Sequence, residues 1–413
     1  MSIWNKEVSF LKKTIVIIGG GIAGISSAYF LSQQGFKIII LEKAKTKNID
    51  KICTSVINPR TLTTLSHMGL LKHLLEYDFL HIDGIKGLSY DETEFKGFYT
   101  HSYPYLNFGY TVPRSILSEN MYHLIEDLDD VEYFNDWEVL DTVQKNDCVI
   151  GLEGKKGGNP ERIMGDLIID ASGRNSVILK NNNMVKTLQN HKRYALICQY
   201  KNVEIPDNLF SIGTHHYIEP GYFCIFPIDK ENVILAFILS EKLWQYAKNN
   251  SEKWVNDFIS RSDFKWRNWF TNSIKQTEIV KFGPLGYEVE KKVVKGVLPV
   301  GDTNGFYDPL TGEGIGFAVD SSLEVSKIAK KLLSSNVNWF ETQKELLDKL
   351  HSMKSESNDH LYNMHKLLKK PLLYNRFIQY LSNNQRAANW SACAFANMLP
   401  EGQRNPQELM KQF

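Results

Sequence analysis

The chain has 413 residues, 43% of them hydrophobic, with 48 Lys+Arg against 47 Asp+Glu. That length exceeds one compact core of ordinary size and predicts two closely joined domains, while a net charge of +1 supplies no global field to recruit nucleic acid or an acidic membrane. The five cysteines (Cys53, Cys148, Cys198, Cys224 and Cys393) are scattered, with no CxxC and no histidine cluster beside them. A reducing compartment and no metal centre follow, which leaves a small-molecule enzyme or a binder.

Lys12 and Lys13 lead directly into the first strand, so no secretory leader and a cytoplasmic protein are expected. Thr14 to Ile18 is a run of buried-strand type, followed by glycines at 19, 20, 21 and 24. Ile22, Ile25, Ala28, Tyr29 and Leu31 then recur at helical spacing until Gly35, and a β-branched run over 38–40 closes on Glu42. Strand, turn, helix and strand make one βαβ unit. Gly19 permits the tight turn, Gly21 permits close backbone approach to a pyrophosphate, and Gly24 lets the helix pack on the strand. The helix N-terminus, with Ile22 and Ala23, presents free N–H groups to phosphate. Glu42 stands where a carboxylate accepts adenosine ribose hydroxyls, with Lys43 beside it, and an acid there repels a 2′-phosphate. The slot therefore suits FAD or NAD.

Pro59 fits the first turn of a helix carrying Leu62, Leu65, Met68 and Leu70, and residues 84–100 alternate like paired strands. Pro113 starts a helix with Ile116, Met121, Leu124 and Ile125 on one side and Arg114 in its first turn, either a surface residue or an anchor for a phosphate or flavin edge. Short strands fill 131–152, a turn is expected over 157–160, and an apolar strand then ends in Asp170. Residues 194–203, 210–216, 222–227 and 233–239 alternate as an antiparallel sheet. A helical stretch over 241–260 leads into Trp254, Phe258, Phe264, Trp266, Trp269 and Phe270, aromatics for a core or for an apolar substrate cavity. A last strand over 296–300 precedes GDTNGFYDPLTGEGIG, and a long helix runs from about Gly312. The remainder, 338–413, has helical periodicity and a loosely ordered tail.

Three motifs in this order, GGGIAG at 19–24, DLIIDASGRNS at 166–176 and GDTNGFYDPLTGEGIG at 301–316, resemble the FAD-dependent family of p-hydroxybenzoate-hydroxylase fold. That family includes single-component aromatic monooxygenases, geranylgeranyl reductases and flavin-dependent halogenases. The resemblance spans roughly 13–333. It implies an α/β chain with a Rossmann-type (GR2-like) FAD-binding domain in segments 1–80, 106–180 and 291–335. Interleaved with it is an antiparallel-sheet substrate domain in 81–105 and 181–290, and a helical region follows over 336–413. It also implies that Gly301 and Asp302 meet the ribityl chain, that Gly312, Gly314, Ile315 and Gly316 open a helix at the N1–C2=O edge of the isoalloxazine, and that Pro309 is a further cofactor-binding residue. Asp170 and Gly173 form a second nucleotide-contacting turn, and Arg114 matches an arginine near the flavin. DPLTGEGIG, PRTLTTLSHMGLL and GYFCIFP look most like the geranylgeranyl-reductase branch, with Cys224 where that branch carries tryptophan. The halogenase string Trp-x-Trp-x-Ile-Pro does not occur.

What the resemblance implies for function is a monooxygenase of a biosynthetic or catabolic small molecule. NAD(P)H reduces FAD, O2 adds at C4a, and the hydroperoxide passes one oxygen to an apolar or aromatic substrate. A reductase or dehydrogenase of the same fold acting on a carbon–carbon bond is the rival, and a flavin-binding, carrier-docking protein without turnover a second. Candidate catalytic groups are Pro309, His216 and Tyr222, with His215 and Tyr307 nearby; a strand through the His pair puts the two rings on opposite faces, so at most one points inward. Cys53 and Cys224 are buried thiols or flavin neighbours. The expected partner is a small molecule, free or carrier-protein-bound, on a monomer or homodimer without nucleic acid or stable membrane insertion.

Overall fold

The computed structural model describes residues 12–46, 56–100, 104–188, 192–310 and 312–400, apart from the side chains at 356, 357, 359 and 360. A five-stranded parallel sheet lies at one end, in the order Val297–Pro299, Leu167–Asp170, Thr14–Ile18, Lys37–Leu41, Val131–Phe134. The runs 15–18, 38–41 and 167–169 in its central strands are unbroken apolar because both faces are covered. Ile15, Ile17, Ile38, Ile40 and Ile169 face the helices Ile22–Ser32, Pro59–His67, Arg114–His123 and Gly314–Ser334. Val16, Ile18, Ile39, Leu41 and Ile168 face an antiparallel three-stranded sheet, Trp137–Lys145, Cys148–Lys156 and Asn159–Met164. The expected turn at 157–160 is tighter than its sequence suggests: Gly157 and Gly158 take positive φ and Asn159 already begins the next strand.

The second sheet has eight strands. Ile274–Lys275, Arg193–Lys201, Val233–Ser240, Tyr222–Pro227, Leu209–Gly213, Gly84–Leu88 and Glu94–Phe98 follow in order, and Val280–Phe282 pairs beside Arg193–Lys201. All pairings are antiparallel except Leu209–Gly213 on Gly84–Leu88. Strict alternation divides its residues. Phe223, Ile225, Leu235 and Phe237 enter a core with Trp254, Phe258, Phe264 and Trp266. Tyr222, Cys224, Phe226, Ala236 and Ile238 enter another with the C-terminal helices. Of the two readings of the aromatic-rich segment, core and substrate cavity, it takes the first, packing on the far face of the sheet. The stretch 241–260 is two helices, Glu241–Ala247 and Ser251–Ile259.

After the helix Gly314–Ser334 come Trp339–Leu368, Pro371–Asn383 and Gln385–Phe395. They close the near face of the eight-stranded sheet. Contact is tight enough that a Cβ on Gly97 would lie 2.1 Å from the carbonyl oxygen of Ala388. The expected tail, 401–413, lies outside the described residues.

Candidate functional site

The first turn is built by steric exclusion. Gly19 takes φ +97°, and a Cβ on Gly24 would stand 1.9 Å from the Gly19 carbonyl oxygen, so the helix starts as close to the strand as backbone allows. Gly20 is hemmed in by Tyr133, whereas a Cβ on Gly21 would meet nothing within 4 Å. The constraint on Gly21 thus comes from no protein atom; the open space above it suits a pyrophosphate. Glu42 is buried, and its carboxylate accepts from the backbone N–H of Gly20 at 2.8 Å and of Ala44 at 2.9 Å. One lone pair on each oxygen remains for ribose hydroxyls. The Lys43 side chain is exposed.

The other two motifs meet this turn at the strand ends. Val300 donates its N–H to the Asp170 carbonyl at 3.0 Å, Gly173 donates to Thr303 Oγ1 at 3.1 Å, and Gly301, at φ +60°, faces Ala23. The Asp170 carboxylate accepts the hydroxyls of Ser172 and Ser176 at 2.5 Å each, so it ties its own turn together. Burial pushes the Asp302 carboxyl up, and Lys354, Arg174 and Arg114 draw it back down. Charges from three distant segments thus act on one carboxylate. Burial pushes the Lys354 ammonium down to about 8, Asp302 opposing. It donates to the Gly305 carbonyl and lies 4.4 Å from the Phe317 ring centre. A Cβ on Gly312 or Gly314 would meet nothing within 4 Å, again leaving room before a helix N-terminus. Glycines at 21, 312 and 314 that serve no protein contact, opposite a buried ribose-ready acid, fit FAD.

Beside this slot Asp308 gathers three elements. Its carboxylate accepts from Tyr222 Oη at 2.5 Å and from the Leu310 N–H at 2.9 Å, and His365 Nε2 lies 3.0 Å away. Arg193 Nη2 in turn stands 3.3 Å from His365 Nδ1, all of it buried. Burial, then the Asp308 charge, raises the Tyr222 phenol well above its ordinary range, so it stays a donor. Next to this network an apolar cavity of about 20 Å³ is lined by Ile85, Phe95, Ile212 and Tyr222 from the sheet and by Leu310 from the glycine-rich loop. Met364, Leu368, Tyr374, Phe377, Ile378, Ser391 and Phe395 complete it from the C-terminal helices. It carries no charged side chain.

The sequence candidates are thus only partly assembled. Tyr222 and Pro309 adjoin the cavity loop, Pro309 between Asp308 and Leu310. His216 does not: the strand ends at Gly213, and His216 starts a 3-10 turn with its side chain 66% exposed, 3.2 Å from Glu219. His215 caps that turn, accepting from the Tyr217 N–H at 3.0 Å, with its other nitrogen 3.0 Å from the Asp263 carbonyl. The expectation of a His on a pocket-facing strand is corrected for both. Tyr307 is half-buried, its ring 6.2 Å from that of His365. Cys224 is a buried thiol whose pKa burial raises, and Cys53 lies outside the described residues. Sequence reasoning missed Asp308, His365, Arg193, Lys354 and Leu310. Only Asp308 and Leu310 carried a signal, their place inside the third motif.

Residues 12–200 match the family described as "FAD binding domain". The chain is 24% identical over 94% of its length to a digeranylgeranylglycerophospholipid reductase of Methanococcus vannielii, covering 90% of that protein. It is 25% identical over 86% of its length to a kynurenine 3-monooxygenase of Dictyostelium discoideum, covering 75% of it. Among solved structures, a flavoprotein/dehydrogenase from Cytophaga hutchinsonii superposes with TM-score 0.81 at 19% identity, over 96% of this chain and 95% of that one. No helix among the described residues is long and apolar enough to cross a membrane. Residues 12–200 thus resemble an FAD binding domain, with FAD as the cofactor, and over most of its length the chain is similar to oxidoreductases.

Proposed function

We propose that this enzyme is a monooxygenase that inserts one atom of O2 into a neutral, apolar small molecule, with NAD(P)H as transient electron donor. The observation that carries the reading is the cavity beside Leu310, which is apolar and offers only the hydroxyls of Tyr222, Tyr374 and Ser391. A zwitterionic or carboxylate substrate would leave its charge unpaired there, at a cost of several kcal/mol. FAD supplies the redox chemistry, taking electrons from the nicotinamide and activating O2.

The chain's own residues bind, orient and exclude water. Gly19, Gly21, Gly24, Ile22 and Ala23 would hold the pyrophosphate, with Glu42 on the adenosine ribose and Lys43 beside it. Asp302, with Gly301, would take a ribityl hydroxyl, and Arg114, Asp170 and Gly173 would border the same slot. The N–H groups of Gly314 and Ile315 would meet the pyrimidine edge, where a helix N-terminus favours an anion by about 0.3–1 kcal/mol, while Gly312, whose N–H donates to the Pro309 carbonyl at 3.0 Å, would leave room for the ring. Pro309 and Leu310 form the wall between slot and cavity. Tyr222 is a positioning residue: its proton is committed to Asp308, which fixes that wall. A cavity of about 20 Å³ holds little more than one water, so a substrate enters by parting the C-terminal helices from the sheet.

A second reading, reduction of a carbon–carbon double bond, is favoured by the match to the archaeal reductase over nine-tenths of its length. Single turnover separates the two. Reduced enzyme mixed with 18O2 and a neutral alkene or arene yields singly labelled product under the first reading. Saturated product formed under nitrogen establishes the second.

A further inference from the structure

Over residues 361–400 the sequence carries five Lys/Arg (Lys366, Lys369, Lys370, Arg376 and Arg386) and no Asp or Glu, in a chain whose net charge is only +1. Whole-chain balance conceals this local excess. In its middle the Pro371–Asn383 helix begins with Leu372 and Leu373, which are 82% and 49% exposed. Lys369 and Lys370 precede the pair and Arg376 follows one turn later, all exposed. Lys366 lies against the ring of exposed Tyr362, 4.1 Å from its centre. Among the described residues no ion pair neutralises Lys366, Lys369, Lys370 or Arg376. Directly behind this surface, Leu368, Tyr374 and Phe377 line the apolar cavity.

We infer that the turn around Leu372 and Leu373 docks on an anionic lipid bilayer, so that an apolar substrate passes from the membrane into the cavity behind it. The occupant is chosen by shape and charge together. A folded protein partner needs a patch of about 800 Å² a side, whereas this is a protruding pair of leucines ringed by cations. A bilayer accepts any apolar protrusion at its interface and supplies phosphate groups for the lysines. Entry from this side also matches the geometry, because parting the Pro371–Asn383 helix from the sheet opens the cavity toward the surface that carries Leu372. The surface stands whichever reaction the flavin performs, since vesicle binding is read without turnover.

The FAD-loaded full-length chain is sedimented with vesicles of phosphatidylcholine alone and with vesicles of equal parts phosphatidylcholine and phosphatidylglycerol. Binding to the anionic vesicles is expected to be about tenfold or more tighter, and to weaken with added salt. Leu372→Ser with Leu373→Ser, and separately Lys369→Glu with Lys370→Glu, each reduce it about tenfold or more while flavin content stays unchanged. Indifference of the wild type to anionic vesicles overturns the inference, as does wild-type binding by both double variants. So does a wild type that ignores vesicles but uses these leucines to bind an acidic carrier protein, a second copy or its own residues 401–413.

Discussion

Nε2 of His365 lies 3.0 Å from Oδ2 of Asp308, both side chains at most 2% exposed, and this pair ties the helix Trp339–Leu368 to the loop entering Pro309. Burial alone would raise the Asp308 carboxyl, but His365, Tyr222 and Arg193 together hold it below the usual carboxylate range. Removing the carboxylate strands a buried imidazole and a buried guanidinium. Asp308→Ala is expected to lose about 3–5 kcal/mol in urea unfolding, with Asp308→Asn losing less because its amide oxygen still accepts from Leu310. A depressed carboxyl stabilises above its unfolded pKa of about 3.9, and that contribution disappears as pH falls through the folded value. Acid unfolding of Asp308→Asn should accordingly be less steep below about pH 4 than that of the wild type.

Gly21 and Gly24 separate cofactor binding from folding. At Gly24 a methyl group collides with the Gly19 carbonyl, so Gly24→Ala lowers the melting temperature of the flavin-free protein. At Gly21 the methyl meets no protein atom. Gly21→Ala should leave that melting temperature within about a degree or two yet weaken FAD binding by about a hundredfold, as read by flavin fluorescence quenching.

Lys354 gives a pH signature of opposite sign to Asp308. Its folded pKa of about 8 lies below an unfolded value of about 10.4, so the buried ammonium costs stability at pH 8 and below. The cost is relieved as pH rises from about 8 to about 10. In the flavin-free protein, Lys354→Met should therefore gain melting temperature over wild type at pH 7, and the gain should shrink toward pH 10. A difference independent of pH would place the ammonium in water.

Much of the parallel sheet and its glycine turns was legible because backbone sterics write them locally: Gly24 must be Gly for the strand and helix to touch, and Ile15, Ile17, Ile38 and Ile40 must be apolar under two layers. The alternation of Tyr222 to Pro227 was also legible, but which face met which partner was not. Phe223 and Tyr222 read alike until helices 140 residues later choose a side. The Asp308 network was hidden for the same reason. Arg193, Tyr222, Asp308 and His365 are four ordinary polar residues on four segments, and only packing takes them out of water together. His216 misled because its strand stops at Gly213, one turn short of the run that the alternation suggested.

In the proposed function the apolar cavity at Leu310 adjoins the flavin. The FAD-loaded enzyme is titrated with a series of neutral apolar ligands while its flavin absorption is followed, for the wild type and for Leu310→Trp, which fills the cavity from the flavin side. Ligands should perturb the wild-type flavin spectrum saturably, and Leu310→Trp should abolish the response while retaining FAD. A wild-type spectrum that no apolar ligand disturbs, or a Leu310→Trp protein that responds as the wild type does, would contradict it.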